Sequence, residues 1–330
     1  MENDIYFEKN YAKLYEDIEN GEAIFYEFKN ENGRIIHSFI KREIKTQIEN
    51  DNKKYFDIIT PYGYGGPLIV QAVNKQKLLQ DFRKNFAQYC YENSIVSELV
   101  RFHPIAKNYE DFKDLYDAKF NRYTVVTNLK DYNDPIQEEF SKRCRKDIRR
   151  VLRTGMEYKI TLSPDNIDNF LTCYYSTMDR NKANSFYYFD KKYFDKIKHY
   201  FKDKTILVEA LYDNKTIAAG YYFISNNIIH AHLSGTLQEY LHLSPAYMLK
   251  YGTAKWGKEN GYELIHYGGG RSESLDDGLY KFKKQFGTNT EYEFWIGKKV
   301  WNKEVYEKLC KIKNVSMDEE FFPAYRKESR

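Results

Sequence analysis

The chain has 330 residues, 42% of them apolar and 30% charged, with a net charge of +4 at neutral pH. That length exceeds one ordinary core and points to two domains. The absence of ~18 consecutive apolar residues excludes a membrane-spanning helix, and a start without a basic stretch followed by an apolar one predicts a cytoplasmic protein.

The charge permits a polyanionic partner such as a nucleotide diphosphate or tRNA without requiring one. Cys90, Cys144, Cys173 and Cys310 are widely spaced, so neither a zinc site nor a disulfide framework is expected. Residues 23–48 hold Ala23-Ile-Phe-Tyr-Glu-Phe28, a polar turn ending at Gly33, and Ile35-Ile-His-Ser-Phe-Ile40, which is a hairpin pattern. Tyr55-Phe-Asp-Ile-Ile59 leads into Thr60-Pro-Tyr-Gly-Tyr-Gly-Gly-Pro67, whose prolines and glycines bar a helix and interrupt any ladder. This predicts a shaped loop carrying Tyr62 and Tyr64. Leu78, Leu79, Phe82, Phe86 and Tyr89 recur at helical spacing over 75–93; a strand at 95–102 breaks at His103-Pro104, and a short helix near 109–116 precedes a β-branched strand at 123–129. A basic helix from Ser141 ends at Gly155, with Ile148, Val151 and Leu152 on its buried face. The domain junction is expected there: 1–150, completed by a C-terminal helix within 302–330, then 151–301.

The second half repeats the order of the first. Helices are predicted at 166–180 and 190–201, the latter entered through an Asp190 N-cap. A hairpin at 205–224 turns on Asp213-Asn-Lys215, and a third strand at 227–235 carries His230 and His232. The next helix, 246–260, has Ser244 as N-cap, Pro245 at its first position and Gly261 as its stop. A strand at 262–267, the triplet Gly268-Gly-Gly270, a helix at 276–286, a strand at 290–296 and a helix at 302–312 complete the chain. Hairpin, strand, helix, strand in both halves predicts a mixed α/β (α+β) fold made by duplication, with central sheets flanked by helices.

Tyr267-Gly-Gly-Gly270 followed by Leu279-Tyr-Lys-Phe-Lys-Lys-Gln-Phe286 resembles the "GG … L-x-x-F-K-x-x-F" signature of the FemABX family of peptidoglycan-bridge aminoacyltransferases and their acyltransferase relatives. Ile59–Pro67 resembles the family's "Y-x-P-x-G-P" loop, Arg180 with Tyr187-Tyr-Phe189 its second-domain opening, and His232-Leu-Ser-Gly-Thr236 with Leu243-Ser-Pro245 its strand, loop, helix core. The resemblance implies two tandem GNAT-like domains, a cleft between them, and transfer of an activated carboxyl group to an amine. The implied donor is aminoacyl-tRNA, a co-substrate rather than a bound cofactor, and the acceptor a UDP-linked or lipid-linked sugar or peptide precursor; peripheral membrane association is allowed and DNA is not expected. The chain lacks the heptad-repeat insertion linked with tRNA contact in some members, which keeps an acyl-CoA-dependent N-acyltransferase acting on an amino sugar as the alternative. Leu237–Leu243 in turn contains no glycine, unlike the acetyl-CoA loop "Q/R-x-x-G-x-G/A". An inactive GNAT-like ligand-binding module is the alternative of another class.

Acyl transfer to an amine needs a deprotonated amine, a stabilised oxyanion and positioning, and no enzyme nucleophile. The resemblance makes Lys283 the oxyanion or donor-phosphate residue and Arg180 the acceptor-phosphate residue, arginine being suited to bidentate phosphate binding. Gly268, Gly269 and Gly270 offer backbone N–H groups, and Ser244 lies at a helix start suited to the donor pyrophosphate. Lys41, with Arg42, completes a candidate phosphate clamp; Tyr62 and Tyr64 are candidate substrate walls. His232 is the candidate base, and with His230 it lacks a third ligand for a metal. Lys281, Lys284 and the cations of the 142–153 run are expected to be solvated surface.

Overall fold

The computed structural model describes residues 1–327. Helices α1 (Lys9–Lys13) and α2 (Glu16–Glu19) lead into β1 (Gly21–Asn30), β2 (Gly33–Glu43), β3 (Phe56–Ile59), β4 (Leu68–Ala72), α3 (Lys75–Glu92), β5 (Ile95–Arg101), α4 (Tyr109–Phe112) and β6 (Asp117–Asn128). There follow α5 (Pro135–Glu139), α6 (Lys142–Leu152), β7 (Glu157–Leu162), α7 (Asp168–Arg180), α8 (Lys191–Phe201), β8 (Thr205–Tyr212), β9 (Lys215–Ser225) and β10 (Ile228–Thr236). The last elements are α9 (Ala246–Glu259), β11 (Leu264–Gly268), α10 (Gly278–Lys284), β12 (Glu291–Val300) and α11 (Lys303–Ile312).

Contacts divide the chain into one unit of residues 1–121 with the segment from 293 on, and a second of 122–292. The division falls inside β6, upstream of the basic helix where the sequence suggests it. Cys144, Ile148 and Val151 of α6 pack with Val125, Leu129, Met248 and Leu249 in one apolar cluster, and this binds α6 into the second unit.

In the first unit the strand order is β1-β2-β3-β5-β12, with β4 also on β2. Only β3 and β5 are parallel. They are joined through α3, whose Leu78, Phe82, Phe86 and Cys90 pack on Ile35 and Phe39. In the second unit the order is β6-β11-β10-β9-β8-β7, and only β10 and β11 are parallel, joined through α9. Both units thus contain the run antiparallel, antiparallel, parallel across a helix, antiparallel, to which the second adds β7 as one more antiparallel strand at its edge. A connection between parallel neighbours needs a crossover, which explains why a helix lies at the same place in each.

Local chemistry sets these elements. The turns of the second meander, Asp213-Asn214 and Asn226-Asn227, have φ between 49° and 60° at every position, the mirror-image geometry that matches strand twist and that Asn and Asp tolerate. Asp190 accepts from Tyr193 N–H as the N-cap of α8, as the sequence predicts. Two local expectations fail. Leu152 is exposed, because α6 buries the row of Cys144, Ile148 and Val151 instead. Ser244 is not the N-cap of α9: it closes the 3-10 turn Gln238–Leu243 with φ of 57°, and Pro245 takes the cap position with no side-chain cap bond. β4, Leu68-Ile-Val-Gln-Ala72, has no alternating apolar pattern to mark it as a strand, whereas β7 does, with Tyr158, Ile160 and Leu162 alternating with Glu157, Lys159 and Thr161. Among the described residues no helix is long and apolar enough to cross a membrane.

Candidate functional site

In the second unit β10 and β11 share three register pairs, Ile228/Leu264, Ile229/Ile265 and His230/His266. They then part. β10 bulges at His232 and stays with β9, while β11 bulges at Tyr267 and stays with β6, Gly268 pairing with Val125. A pair of parallel strands that separates within a sheet leaves backbone groups and a wedge of space between them, and ligands of α/β sheets bind at such points.

The glycine triplet leaves β11 at this wedge. Gly268 has φ of 73°, which only glycine adopts without strain. A Cβ on Gly269 would lie 2.7 Å from Arg122 Cδ, and one on Gly270 would lie 2.5 Å from Asp277 Oδ1. Small residues therefore let two charged side chains close over the loop. Lys283 Nζ donates to Gly269 O at 2.7 Å, and Arg122 Nη1 donates to Gly270 O at 2.7 Å. The triplet thus holds cations through its carbonyls, where the sequence suggested N–H donors. Asp277, the N-cap of α10, accepts from Tyr280 N–H at 2.9 Å and Ser272 N–H at 3.2 Å; the Tyr280 N–H leads the groups that hold its carboxyl below the ordinary range. Burial lowers Lys283 to about 8, Asp277 opposing and Arg122 reinforcing the shift. Its neighbours on α10 are surface cations as expected, Lys281 pairing with Asp276 and Lys284 with Glu291, each at 2.8 Å.

A second lysine lies beside it. Lys250 of α9 is 8% exposed and shares a helix face with buried Thr253, Ala254 and Gly257. Its Nζ stands 4.4 Å from the Tyr267 ring centroid and 5.5 Å from that of Tyr222. Burial, then the charge of Lys283, lowers it to about 7. No carboxylate pairs with it among the described residues, so ring faces are its cation's observed support.

The other candidates of this unit lie nearby in the fold with distinct attachments. His232 Nε2 is 2.7 Å from Tyr193 Oη, and its ring packs 4.8 Å from Phe223. Burial lowers it to about 3, so the ring is neutral near pH 7 and a weak proton acceptor. Arg180 closes α7 onto β10, donating to Thr236 O at 3.1 Å and Thr177 Oγ1 at 3.2 Å, two bonds that leave other guanidinium N–H groups. Ser244 sits in the tight turn before α9. A surface depression between α7 and α8 contains none of these groups; its Lys198 already pairs with Asp165 at 2.8 Å.

The first unit contains the remaining candidates. Tyr62 and Tyr64 are partly buried in the glycine-proline loop, where Tyr11 Oη donates to Tyr62 O at 2.8 Å and Tyr64 meets Tyr6 and Phe294 edge-on at 5.3 and 5.2 Å. Asn108 Nδ2 ties the loop down through Gly65 O and Pro67 O, both at 2.8 Å. Lys41 lies over Phe56 at 4.2 Å. Arg42 does not share its role: it bonds Asp57 and Glu19, each at 2.8 Å, and its charge is spent inside the unit.

Residues 138–284 match the family model described as an acetyltransferase (GNAT) domain. A Weissella viridescens protein named UDP-N-acetylmuramoylpentapeptide-lysine N(6)-alanyltransferase is 26% identical over 195 residues, which is 58% of this chain. The crystal structure of FemX superposes with a TM-score of 0.67 at 12% identity, covering 90% of this chain and 92% of that one. A GNAT acetyltransferase domain is thus matched over residues 138–284, and the fold is that of FemX over most of the chain. The matched part spans 56% of the Weissella relative, little more than half its length. The fold is also similar to that of the C-terminal domain (DUF2156) of a putative lysylphosphatidylglycerol synthetase from Agrobacterium fabrum, TM-score 0.56 at 11% identity over 94% of this chain and 90% of that one.

Within this site, sequence reasoning missed Lys250, Arg122 and Asp277. Lys250 had a signal, a lysine in line with Thr253, Ala254 and Gly257 at helical spacing. Arg122 had none, because the strand that brings it to Gly270 is 148 positions away in sequence.

Proposed function

We propose that the protein transfers an aminoacyl group from aminoacyl-tRNA to an amino group of a UDP-linked or lipid-linked cell-wall peptide precursor in the cytoplasm. The observation that carries this reading is Lys283, partly buried and held at Gly269 O beside the parting of β10 and β11. A lysine fixed there offers a positive charge to the oxyanion formed when an amine attacks an ester carbonyl, and one such donor is worth ~10²–10³ in rate. Arg180, with N–H groups to spare, supports binding of acceptor phosphates. Tyr62, Tyr64 and Lys41 are proposed to contact the acceptor, and His232, bonded to Tyr193, to shape the site. The Weissella relative, a UDP-N-acetylmuramoylpentapeptide-lysine alanyltransferase by name, supports the acceptor class.

The description of residues 138–284 as an acetyltransferase domain favours a second reading, an acyl-CoA donor and an amino-sugar acceptor. Incubating the protein with a UDP-linked muramoyl peptide and either charged tRNA or acetyl-CoA, with products weighed by mass spectrometry, separates the two. An acceptor gaining an amino-acid residue only with charged tRNA is expected. Modification only with the thioester sinks the first reading.

A further inference from the structure

We propose that Lys250 is the proton acceptor of the transfer site, taking a proton from the acceptor's ammonium group while Lys283 remains the charge that meets the oxyanion. The inference rests on the transfer reading and adds the base that reading lacks.

The geometry begins with the split in the sheet. Tyr222 lies on β9 opposite Ala231, one residue before the β10 bulge, and Tyr267 is the bulged residue of β11. The two rings therefore flank the place where β10 and β11 separate, and Lys250 Nζ stands 5.5 and 4.4 Å from their centroids. A buried lysine in such a place usually has a carboxylate; this one has aromatic faces and a second cation. The two causes that act on Lys250 push in one direction. Burial and Lys283 lower Lys250 to about 7. Tyr222 and Tyr267 are raised by burial, the first to about 12, so neither supplies a negative charge near neutral pH. From the other elements packed on α9, Arg143 and Asp147 of α6 act on Tyr247, Tyr158 of β7 packs at Gly252, Glu209 of β8 bonds Thr216, and Glu139 of α5 is engaged by Asn289 N–H and Thr290.

The chemistry balances without a further reagent. The acceptor ammonium gives one proton to the neutral Lys250 amine, and the freed amine forms a C–N bond to the donor carbonyl carbon. The carbonyl π pair moves to oxygen, facing Lys283. When that oxyanion collapses, the C–O bond of the ester (or C–S bond of a thioester) breaks, and the second proton of the attacking nitrogen goes to the leaving group. Lys250 then returns its proton to solvent. Two lysines with unlike surroundings divide the acid and base roles, as tuned pairs of titratable groups do.

The test reads the lysine and the reaction separately. Selective ¹³C labelling of lysine side chains gives Cε resonances that titrate with their amines, and Lys250→Met assigns the Lys250 signal without any donor present. A Lys250 midpoint near 7 is expected; a midpoint near 10 overturns the proposal whatever the activity. In the transfer assay, kcat of the parent should rise with pH through the same midpoint, and both Lys250→Met and Lys250→Arg should lose this limb and ~10²-fold or more of kcat with little change in acceptor KM. Arginine keeps the charge and cannot deprotonate, so a folded Lys250→Arg with parental kcat and pH profile also overturns the role. A parent inactive with every donor, while Lys250 titrates near 7, instead overturns the transfer reading and the role that depends on it.

Discussion

At the scale of single residues, three groups of the second unit make separable predictions. Lys283→Met should lower kcat by ~10²–10³ while circular dichroism stays that of the parent, because the residue serves the oxyanion and holds only one loop carbonyl. Lys250→Met should do the opposite to stability. Its folded value of about 7 lies below its ordinary 10.5, so below pH ~7 the folded state bears the full cost of a buried charge, and above pH ~10.5 it bears none. The substitution should therefore raise the melting temperature at pH 7, by an amount equivalent to at most ~5 kcal/mol, with the gap to the parent closing as pH approaches 10. His232 works from the acid side. Its folded value of about 3 lies below the ordinary 6.5, so the unfolded chain binds a proton that the folded one refuses, and stability falls as pH drops from 6.5 toward 3. Replacing His232 with Gln should flatten the acid limb of denaturant midpoints measured across that range.

At the scale of elements, the close approach of α7 to β10 positions the arginine. A Cβ on Gly235 would sit 2.1 Å from Cys173 O and 2.4 Å from Tyr174 Cα. That contact involves backbone, which cannot rotate away, so Gly235→Ala should cost ~1–3 kcal/mol or more in a urea titration. It should also weaken acceptor binding, because Arg180 is fixed by Thr236 O on the next residue of the same strand. The same change at Gly278, where a Cβ meets nothing within 4 Å, should leave acceptor binding unaltered. The strand-helix contact, rather than glycine as such, is the sensitive feature.

At the scale of the whole molecule, the first unit is completed by the end of the chain. β12 pairs with β5 from Ile296/Arg101 to Val300/Ser97. Buried Glu98 accepts from Tyr116 Oη and Trp301 Nε1, both at 3.0 Å, with His37 Nε2 at 2.7 Å; Asp57 is met by Tyr325 and Arg326. Ending the chain at 292 removes Trp301, Tyr325 and Arg326 and strips buried carboxylates of their partners. Hydrogen exchange of such a truncation should show lost protection in β2, β3 and β5, while β8, β9 and β10 stay protected.

Sequence alone determined most of the elements and their repetition, though not β4, α5 or β7. Helical spacing of Leu78, Phe82 and Phe86, the Asp-Asn turn, the Asp190 cap and the glycine triplet are local signals, acting through backbone preference and periodicity over a few residues, and they sufficed for the order of strands and helices and for the FemABX resemblance that led to Lys283. Only tertiary structure decided that β10 and β11 part after three pairs, that Gly269 O rather than an N–H meets Lys283, and that Arg122 closes on Gly270. It also decided that Lys250 is buried between two tyrosines beside another lysine. Each of these depends on strands distant in sequence sharing one sheet, and the proton affinity of an amine follows from what surrounds it after folding, which no local pattern encodes.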